Sequence, residues 1–243
     1  MKKEIAALDL TAGEVLVFDK PKEWTSFDVV KKIRGLTRTK KVGHAGTLDP
    51  LATGVLILCT GRKTKTISGI QDQEKEYHVE FRLGAVTKSY DAEFPPEEVR
   101  DTSHLTPALI EAALPPFRGT VEQLPPVFSA VKVKGKRAYK AARAGEQIEL
   151  KSRTVQVYEF RLEEFRAPNW ASAVIRCSKG TYIRSLVHDL GQALGVGAYI
   201  LELRRTRIGD HTLANAWEIE EFVREWKAHR PVTGETSAGS VQE

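Results

Sequence analysis

An α+β fold with a mixed, largely antiparallel sheet is predicted by three features of this 243-residue sequence. Segments that alternate apolar and polar residues, clearest in "KEYHVEFRLGAV", read as half-buried strands. Segments with helix-capping signals lie between them, as in "TSFDVVKKIRGL" and "TPALIEAALPPF". The two kinds do not follow a regular βαβ rhythm, which argues against a doubly wound parallel sheet.

In chain order, "GEVLVFDKP" predicts a short strand stopped by Pro21. A helix follows, with Thr25 and Asp28 fitting a capping box, Phe27, Val30 and Ile33 on one face, and Gly35 at its end. "VGHAGTLDPLATGVLILC" predicts two glycine-rich turns and a buried strand from Val55 to Cys59. In "KEYHVEFRLGAV" the residues Tyr77, Val79, Phe81 and Leu83 share a face. Thr106 caps the next helix, with Pro107 in its first turn. "RTVQVYEFRLEEF" and "WASAVIRCSKG" predict neighbouring antiparallel strands. "SLVHDLGQALG" predicts a helix with Leu186, Leu190, Ala193 and Leu194 on one face, and "AWEIEEFVREWKAH" a last helix packing Trp217, Phe222, Val223 and Trp226. The polar end "PVTGETSAGSVQE", residues 231–243, is expected to be disordered, and residues 1–230 to form one domain.

Thirty-seven Lys and Arg against 32 Asp and Glu leave a formal charge of +5, which points weakly to a polyanionic partner. Cys59 and Cys177 sit in apolar runs, so they read as reduced core thiols rather than zinc ligands. No signal peptide or membrane span is visible, which makes the cytoplasm the expected compartment. Nothing matches a P-loop, a dinucleotide fingerprint or a serine nucleophile elbow, so no cofactor is expected.

Four clusters carry candidate chemistry. In "GHAGTLDPLATG", Asp49 reads equally well as a turn residue beside Pro50 or as a working carboxylate against a rigid strand. His44 and Asp49 lack a third ligand nearby, so no metal is expected there. In "CSKGTYIRSLVHDLG", Arg184 sits near a helix start, where the dipole favours negative charge. It therefore serves a partner anion, or it is a surface arginine paired with Asp189 or Glu202. His188 and Asp189 read as helix-surface residues. In "LPPVFSAVKVKGKRAYKAARAGE", Lys132, Lys134, Lys136, Arg137, Lys140 and Arg143 suit a phosphate backbone, and equally a solvated hairpin. Arg204, Arg205 and Arg207 in "LRRTRIGDH" read at least as well as a solvated basic loop.

Five ordered segments, "DKPKEWTSFDVV", "GHAGTLDPLATGVLIL", "KEYHVEFRLG", "QLPPVFSAVKVKGKRAYKAAR" and "CSKGTYIRSLVHDLGQALGVGAYILELRRTRIG", together resemble the bacterial tRNA pseudouridine-55 synthase family of the TruB type. They cover about residues 14–209. The resemblance implies a pseudouridine synthase fold and isomerisation of one T-loop uridine of tRNA without metal or cofactor. It makes Asp49 the catalytic aspartate, Arg184 its partner, and Tyr77 the tyrosine stacked on the target base. It also implies that Tyr182 and Leu203 wall the uracil pocket, and that His44 supports the opened T-loop stack after base flipping. Lys20 and Pro21 match a "KP" motif assigned to bracing the catalytic loop, with a phosphate contact from Lys20 as the alternative. Lys132, Lys134 and Arg137 belong to a basic insert at about 124–150 that is expected to meet RNA.

Three departures stand out. Glu23 replaces a common glycine of "KPxGxTS", which predicts a different bend, and "LGAVTKSYDAEF" lacks the commoner "TDTxDxxG" form while keeping Asp91. Many relatives carry a C-terminal PUA domain, and none is expected here. A monomer needing no protein partner is the expectation. The rival readings are a non-catalytic tRNA-binding or folding protein on the same scaffold, a guide-RNA-dependent synthase, and an unrelated small-molecule enzyme. Asp49, Tyr77 and Arg184 together argue against the first, since a pure binder would need none of them.

Overall fold

Strand β1 (Val15–Lys20) ends where Pro21 withdraws a backbone donor, and helix α1 (Ser26–Thr37) follows. The structure, a computed structural model, describes residues 2–97, 99–129, 131–133, 135–146 and 149–229. At the start of α1 the predicted capping box is present: Asp28 N–H donates to the Thr25 hydroxyl at 3.1 Å and Thr25 N–H to the Asp28 carboxylate at 2.9 Å. Next come β2 (Val42–His44), β3 (Thr53–Thr60), the short helix α2 (Ile67–Asp72) and β4 (Lys75–Leu83). Helix α3 (Pro107–Ala113) starts at the Thr106 cap, and β5 (Gly119–Gln123) follows it. A small hairpin of β6 (Lys132–Val133) and β7 (Lys136–Arg137) leads into α4 (Ala138–Arg143). The chain then forms β8 (Arg153–Arg166), β9 (Trp170–Cys177), α5 (Ile183–Ala193) and β10 (Ala198–Ile208). It closes with β11 (His211–Thr212), β12 (Trp217–Glu218) and α6 (Ile219–His229).

One mixed sheet runs β12-β1-β3-β10-β4-β9-β8-β5, with β2 added to β3 and β11 to β10. Its β12–β1 and β3–β10 pairs are parallel and the others antiparallel. The alternation in β4 buries Tyr77, Val79, Phe81 and Leu83 against β8, β9, α3 and α5 in the largest core. Strand β3 is apolar from Val55 to Cys59 because it is covered twice. Leu56 and Leu58 face α1 and α6, while Val55, Ile57 and Cys59 face Val17, Ile70 and Ile208. Fully burying each such side chain stabilises the fold by about 1.5–3 kcal/mol. Both cysteines are free and buried. Among the described residues no helix is long and apolar enough to cross a membrane.

Several local expectations need correction. Phe27 is 58% exposed, and Val29 joins Val30 and Ile33 on the buried face of α1. That helix runs past Gly35 to Thr37, where Arg38 supplies a left-handed cap. Ala193 is exposed, and α5 begins earlier than expected, at Ile183. Trp217 belongs to β12, two residues before α6 begins, so its packing on Phe222 crosses from strand to helix. The largest correction is "LRRTRIG", which is not a loop. It lies in β10, the strand between β3 and β4, and Arg205 is 1% exposed. The expected disordered end, 231–243, lies outside the described residues.

Candidate active site

The site is built where β3 begins. Gly54 on β3 pairs with Lys20 on β1 to one side and with Arg205 on β10 to the other, and Arg205 pairs in turn with Tyr77 on β4. These four positions form one row across four strands, and the loop carrying Asp49 runs into β3 just before that row. Gly54 is required there: with φ at 102°, any Cβ would lie 2.2 Å from the Arg205 carbonyl oxygen.

Two buried cations brace the loop. Lys20 is fully buried, and its ammonium donates to the carbonyls of Pro21 (2.8 Å), Trp24 (2.6 Å) and Pro50 (3.2 Å). Burial lowers its pKa to about 8. The ammonium directs its hydrogen bonds to these three carbonyls, the bracing geometry expected of the "KP" pair. Arg205, which sequence reasoning left as a loop residue, donates to the carbonyls of Val55 (2.8 Å), Thr47 (3.3 Å) and Gly46 (3.2 Å). It thereby ties the first half of the loop to the sheet, as Lys20 ties the second. The Ser26 hydroxyl adds a third tie, exchanging hydrogen bonds with the backbone N–H and carbonyl of Leu48. Asp49 closes its own turn, its carbonyl accepting from Ala52 N–H at 3.1 Å.

The turn and working readings of Asp49 are therefore compatible. Its carboxylate is 41% exposed and meets Arg184 Nη2 at 3.0 Å. Arg184 is 4% exposed, so it is not the surface arginine paired with Asp189 or Glu202; Glu202 instead pairs with Lys22. Its guanidinium also donates to the carbonyls of Ser89 and Phe128, both at 3.0 Å, and lies 3.7 Å from the Asp91 carboxylate. A buried guanidinium held by two backbone carbonyls and flanked by two carboxylates has a fixed direction. Asp49, Arg184 and Leu203 line one narrow cleft with Leu51, Ala52, Asp91, Ile200 and Leu201.

Tyr77 and Tyr182 stand beside that cleft rather than among its lining residues. Tyr77 is buried in the core, and burial pushes its hydroxyl above the ordinary value of 10 against the opposing effect of Arg205. Tyr182 is the residue before α5, half-buried, with the Arg153 guanidinium 5.2 Å from its ring centre. Gln123 holds it through the backbone. The Gln123 amide donates to Tyr182 O at 2.9 Å and accepts from Tyr182 N–H at 2.7 Å. One turn on, the Ser185 hydroxyl donates to Leu124 O at 2.7 Å. Sequence reasoning missed both Gln123 and Arg205. Gln123 carried no local signal of its burial, and Arg205 stood in a basic run that local pattern read at least as well as a solvated loop.

His44 pairs with Leu58 at the end of β2 and leads into the Asp49 loop. It is half-buried, Nδ1 has no hydrogen-bond partner among the described residues, and burial lowers its pKa. Lys132 and Arg137 pair by register in the β6–β7 hairpin, and Lys134 lies outside the described residues. The insert touches the site at its base, through Phe128 O on Arg184. Arg143 is paired with Glu93 at the surface. His188 and Asp189 are half-buried rather than on the helix surface. Glu23 takes φ 69°, so its loop keeps a glycine-type bend. Among the described residues no group of three or more His, Cys, Asp or Glu side chains is placed to hold a metal ion.

Residues 34–183 match the family described as TruB family pseudouridylate synthase (N terminal domain), and residues 184–233 match the tRNA pseudouridylate synthase B C-terminal domain. The boundary between them falls inside α5, and β10 and β12 beyond it complete the sheet that β1 and β3 begin. A tRNA pseudouridine synthase B of Parabacteroides distasonis is 51% identical over 227 residues, 90% of this chain and 96% of that protein. One from Thermobifida fusca is 46% identical over 222 residues, 88% of this chain and 76% of that protein. Among solved structures, a Cbf5-Nop10-Gar1 complex is similar with a TM-score of 0.68 and 28% identity. An archaeal box H/ACA sRNP Nop10-Cbf5 complex is similar at 0.66 and 26%. The matches cover 90% and 92% of this chain, but only 55% and 58% of those chains.

Proposed function

This chain belongs to the TruB family of pseudouridylate synthases, and from that premise we propose that it isomerises uridine 55 in the T-loop of tRNA to pseudouridine, with Asp49 as the catalytic carboxylate. The observation that carries the reading is the Asp49–Arg184 pair, a half-exposed carboxylate held at 3.0 Å by a buried guanidinium. The reaction breaks the bond from ribose C1′ to N1 and forms one from C1′ to C5; C5 then loses its proton and N1 gains one. A carboxylate assists by attacking the sugar, or by removing a sugar proton to give a glycal-like intermediate, and both routes need it ionised and fixed in direction.

The other residues fit supporting roles. Tyr77 offers a ring to the flipped base. Burial keeps its hydroxyl protonated, which suits relaying the C5 proton better than accepting it outright. Tyr182 and Leu203 wall the uracil pocket. His44, with its pKa lowered by burial, offers a flat neutral ring against the opened T-loop stack rather than a cation for phosphate. Lys132, Lys134 and Arg137 of the insert meet the RNA backbone. We assign residues 1–230 to one catalytic unit because strands from both ends of the chain share its sheet. The cytoplasm is the matching compartment.

The test is to incubate the purified chain with an unmodified tRNA transcript and map pseudouridine chemically. Conversion at T-loop position 55 that disappears in Asp49→Asn is the expected result. Conversion elsewhere would overturn the substrate assignment, and full conversion by Asp49→Asn would overturn the role of Asp49. Binding without any conversion would favour the non-catalytic tRNA-folding reading. Arg184→Ala should lose turnover far more than tRNA affinity; equal losses in a filter-binding titration would make Arg184 a phosphate contact.

A further inference from the structure

We propose that Tyr90 and His188 form a positioning pair, whose stacked rings lock residues 87–91 against α5 and so hold the groups that aim Arg184 at Asp49. The proposal rests on the catalytic reading of that ion pair given above.

The two rings lie 3.7 Å apart, centre to centre, and 10° from parallel. Neither residue lines the cleft, so neither is needed to touch a substrate. Their importance lies in what each backbone carries. His188 is four residues after Arg184, one turn along α5 and on the same face. Arg184 Nη1 grips the segment at Ser89 O, and His188 grips it at the next residue, Tyr90. The helix therefore holds this loop at two points one turn apart.

The loop needs such a hold. Tyr90 has φ 65°, a left-handed conformation that a bulky side chain rarely adopts. Tertiary contacts therefore impose its shape. Tyr90 N–H donates to Thr87 O at 3.2 Å, and Tyr90 O accepts from Ile200 N–H at 3.0 Å, joining the loop to β10. The Thr87 hydroxyl donates to Asp91 O at 2.7 Å, and the Ser89 hydroxyl donates to the Asp91 carboxylate. These bonds make Ser89 O and Asp91 one rigid unit facing Arg184. The ring stack is the contact that presses this unit onto the helix bearing the arginine.

His188 works here through its flat face. Its Nδ1 is buried without a hydrogen-bond partner among the described residues, and burial lowers its pKa, which keeps the ring neutral. The loop is also where "TKSYDAEF" departs from the commoner "TDTxDxxG" form.

The test compares His188→Ala with His188→Phe, which restores a flat ring, in the full-length chain. Hydrogen–deuterium exchange of residues 86–92 is read without RNA, and single-turnover pseudouridine formation with saturating enzyme. His188→Ala should speed exchange in the loop and slow conversion about three- to tenfold, with tRNA affinity kept within about twofold. His188→Phe should return both readouts to within about twofold of wild type. Unchanged exchange in His188→Ala, a loss in affinity instead of rate, or a His188→Phe as slow as His188→Ala would each overturn the pair. A wild-type chain that converts no uridine would sink the functional reading instead, and the exchange comparison would still decide the stack.

Discussion

Arg205 and Tyr77 lie directly opposite one another on β10 and β4, and the Arg205 guanidinium reaches past that pair to the carbonyls of Gly46, Thr47 and Val55. A fully buried arginine is thus the fastener of the loop that presents Asp49. Arg205→Met keeps the bulk but leaves three carbonyls without a donor. It should lower unfolding free energy by about 2–4 kcal/mol in urea titrations. The same variant should also lose single-turnover rate, because the loop is freed from the sheet. A stable, fully active Arg205→Met would show that Lys20 and Ser26 suffice.

Stability should rise with pH on the alkaline side. Burial lowers Lys20 and Lys75 from 10.5 to about 8, with Lys75 donating to the carbonyls of Gln71 and Gln73. Below the folded values both states carry the protons. Between about 8 and 10.5 the unfolded chain binds more protons than the folded one, so these groups make unfolding harder as pH rises. Urea melts at about pH 7.5 and about pH 9.5 read the slope, and Lys20→Met with Lys75→Met should flatten it. Catalysis should respond the opposite way. Losing a proton from Lys20 removes a donor from its three-carbonyl brace, so activity should fall above about pH 8 in wild type.

Gln123 holds the backbone of Tyr182, two residues before Arg184, through two hydrogen bonds. Gln123→Met removes both hydrogen bonds and should cost about 1–3 kcal/mol of stability. Turnover should fall about tenfold with tRNA affinity nearly unchanged, since the change acts on orientation and not on charge. Calorimetry together with single-turnover kinetics checks this. A stability loss with an intact rate would make the clamp purely structural.

Glu23 holds a left-handed backbone between Pro21 and the α1 cap, and its N–H donates to Pro50 O at 2.8 Å. A glycine removes the Cβ penalty there, partly offset by greater freedom in the unfolded chain. Glu23→Gly should stabilise by about 0.5–1 kcal/mol, read from the urea midpoint. Destabilisation would mean that the Glu23 side chain has a role of its own.

Elements with local causes were legible in the sequence. The Thr25–Asp28 box, the Thr106 cap and the alternation of β4 each depend on residues within one or two turns or a single strand. The family resemblance, carried by five ordered segments, then singled out Asp49, Tyr77 and Arg184. Composition, periodicity and spacing had left Asp49 undecided between a turn and a working carboxylate.

Only the tertiary structure decided where Arg205 goes, and it gave Arg184 the partners that local pattern could not supply. Local pattern let "LRRTRIG" read at least as well as a solvated loop and allowed Arg184 a surface pairing, because a charged side chain is rarely buried without partners. The partners exist, but they are distant in the chain: Asp49 for Arg184, and the carbonyls of Gly46, Thr47 and Val55 for Arg205. Burying a guanidinium is favourable only when its donors are satisfied, and that condition is met by residues brought together when β10 enters the sheet between β3 and β4.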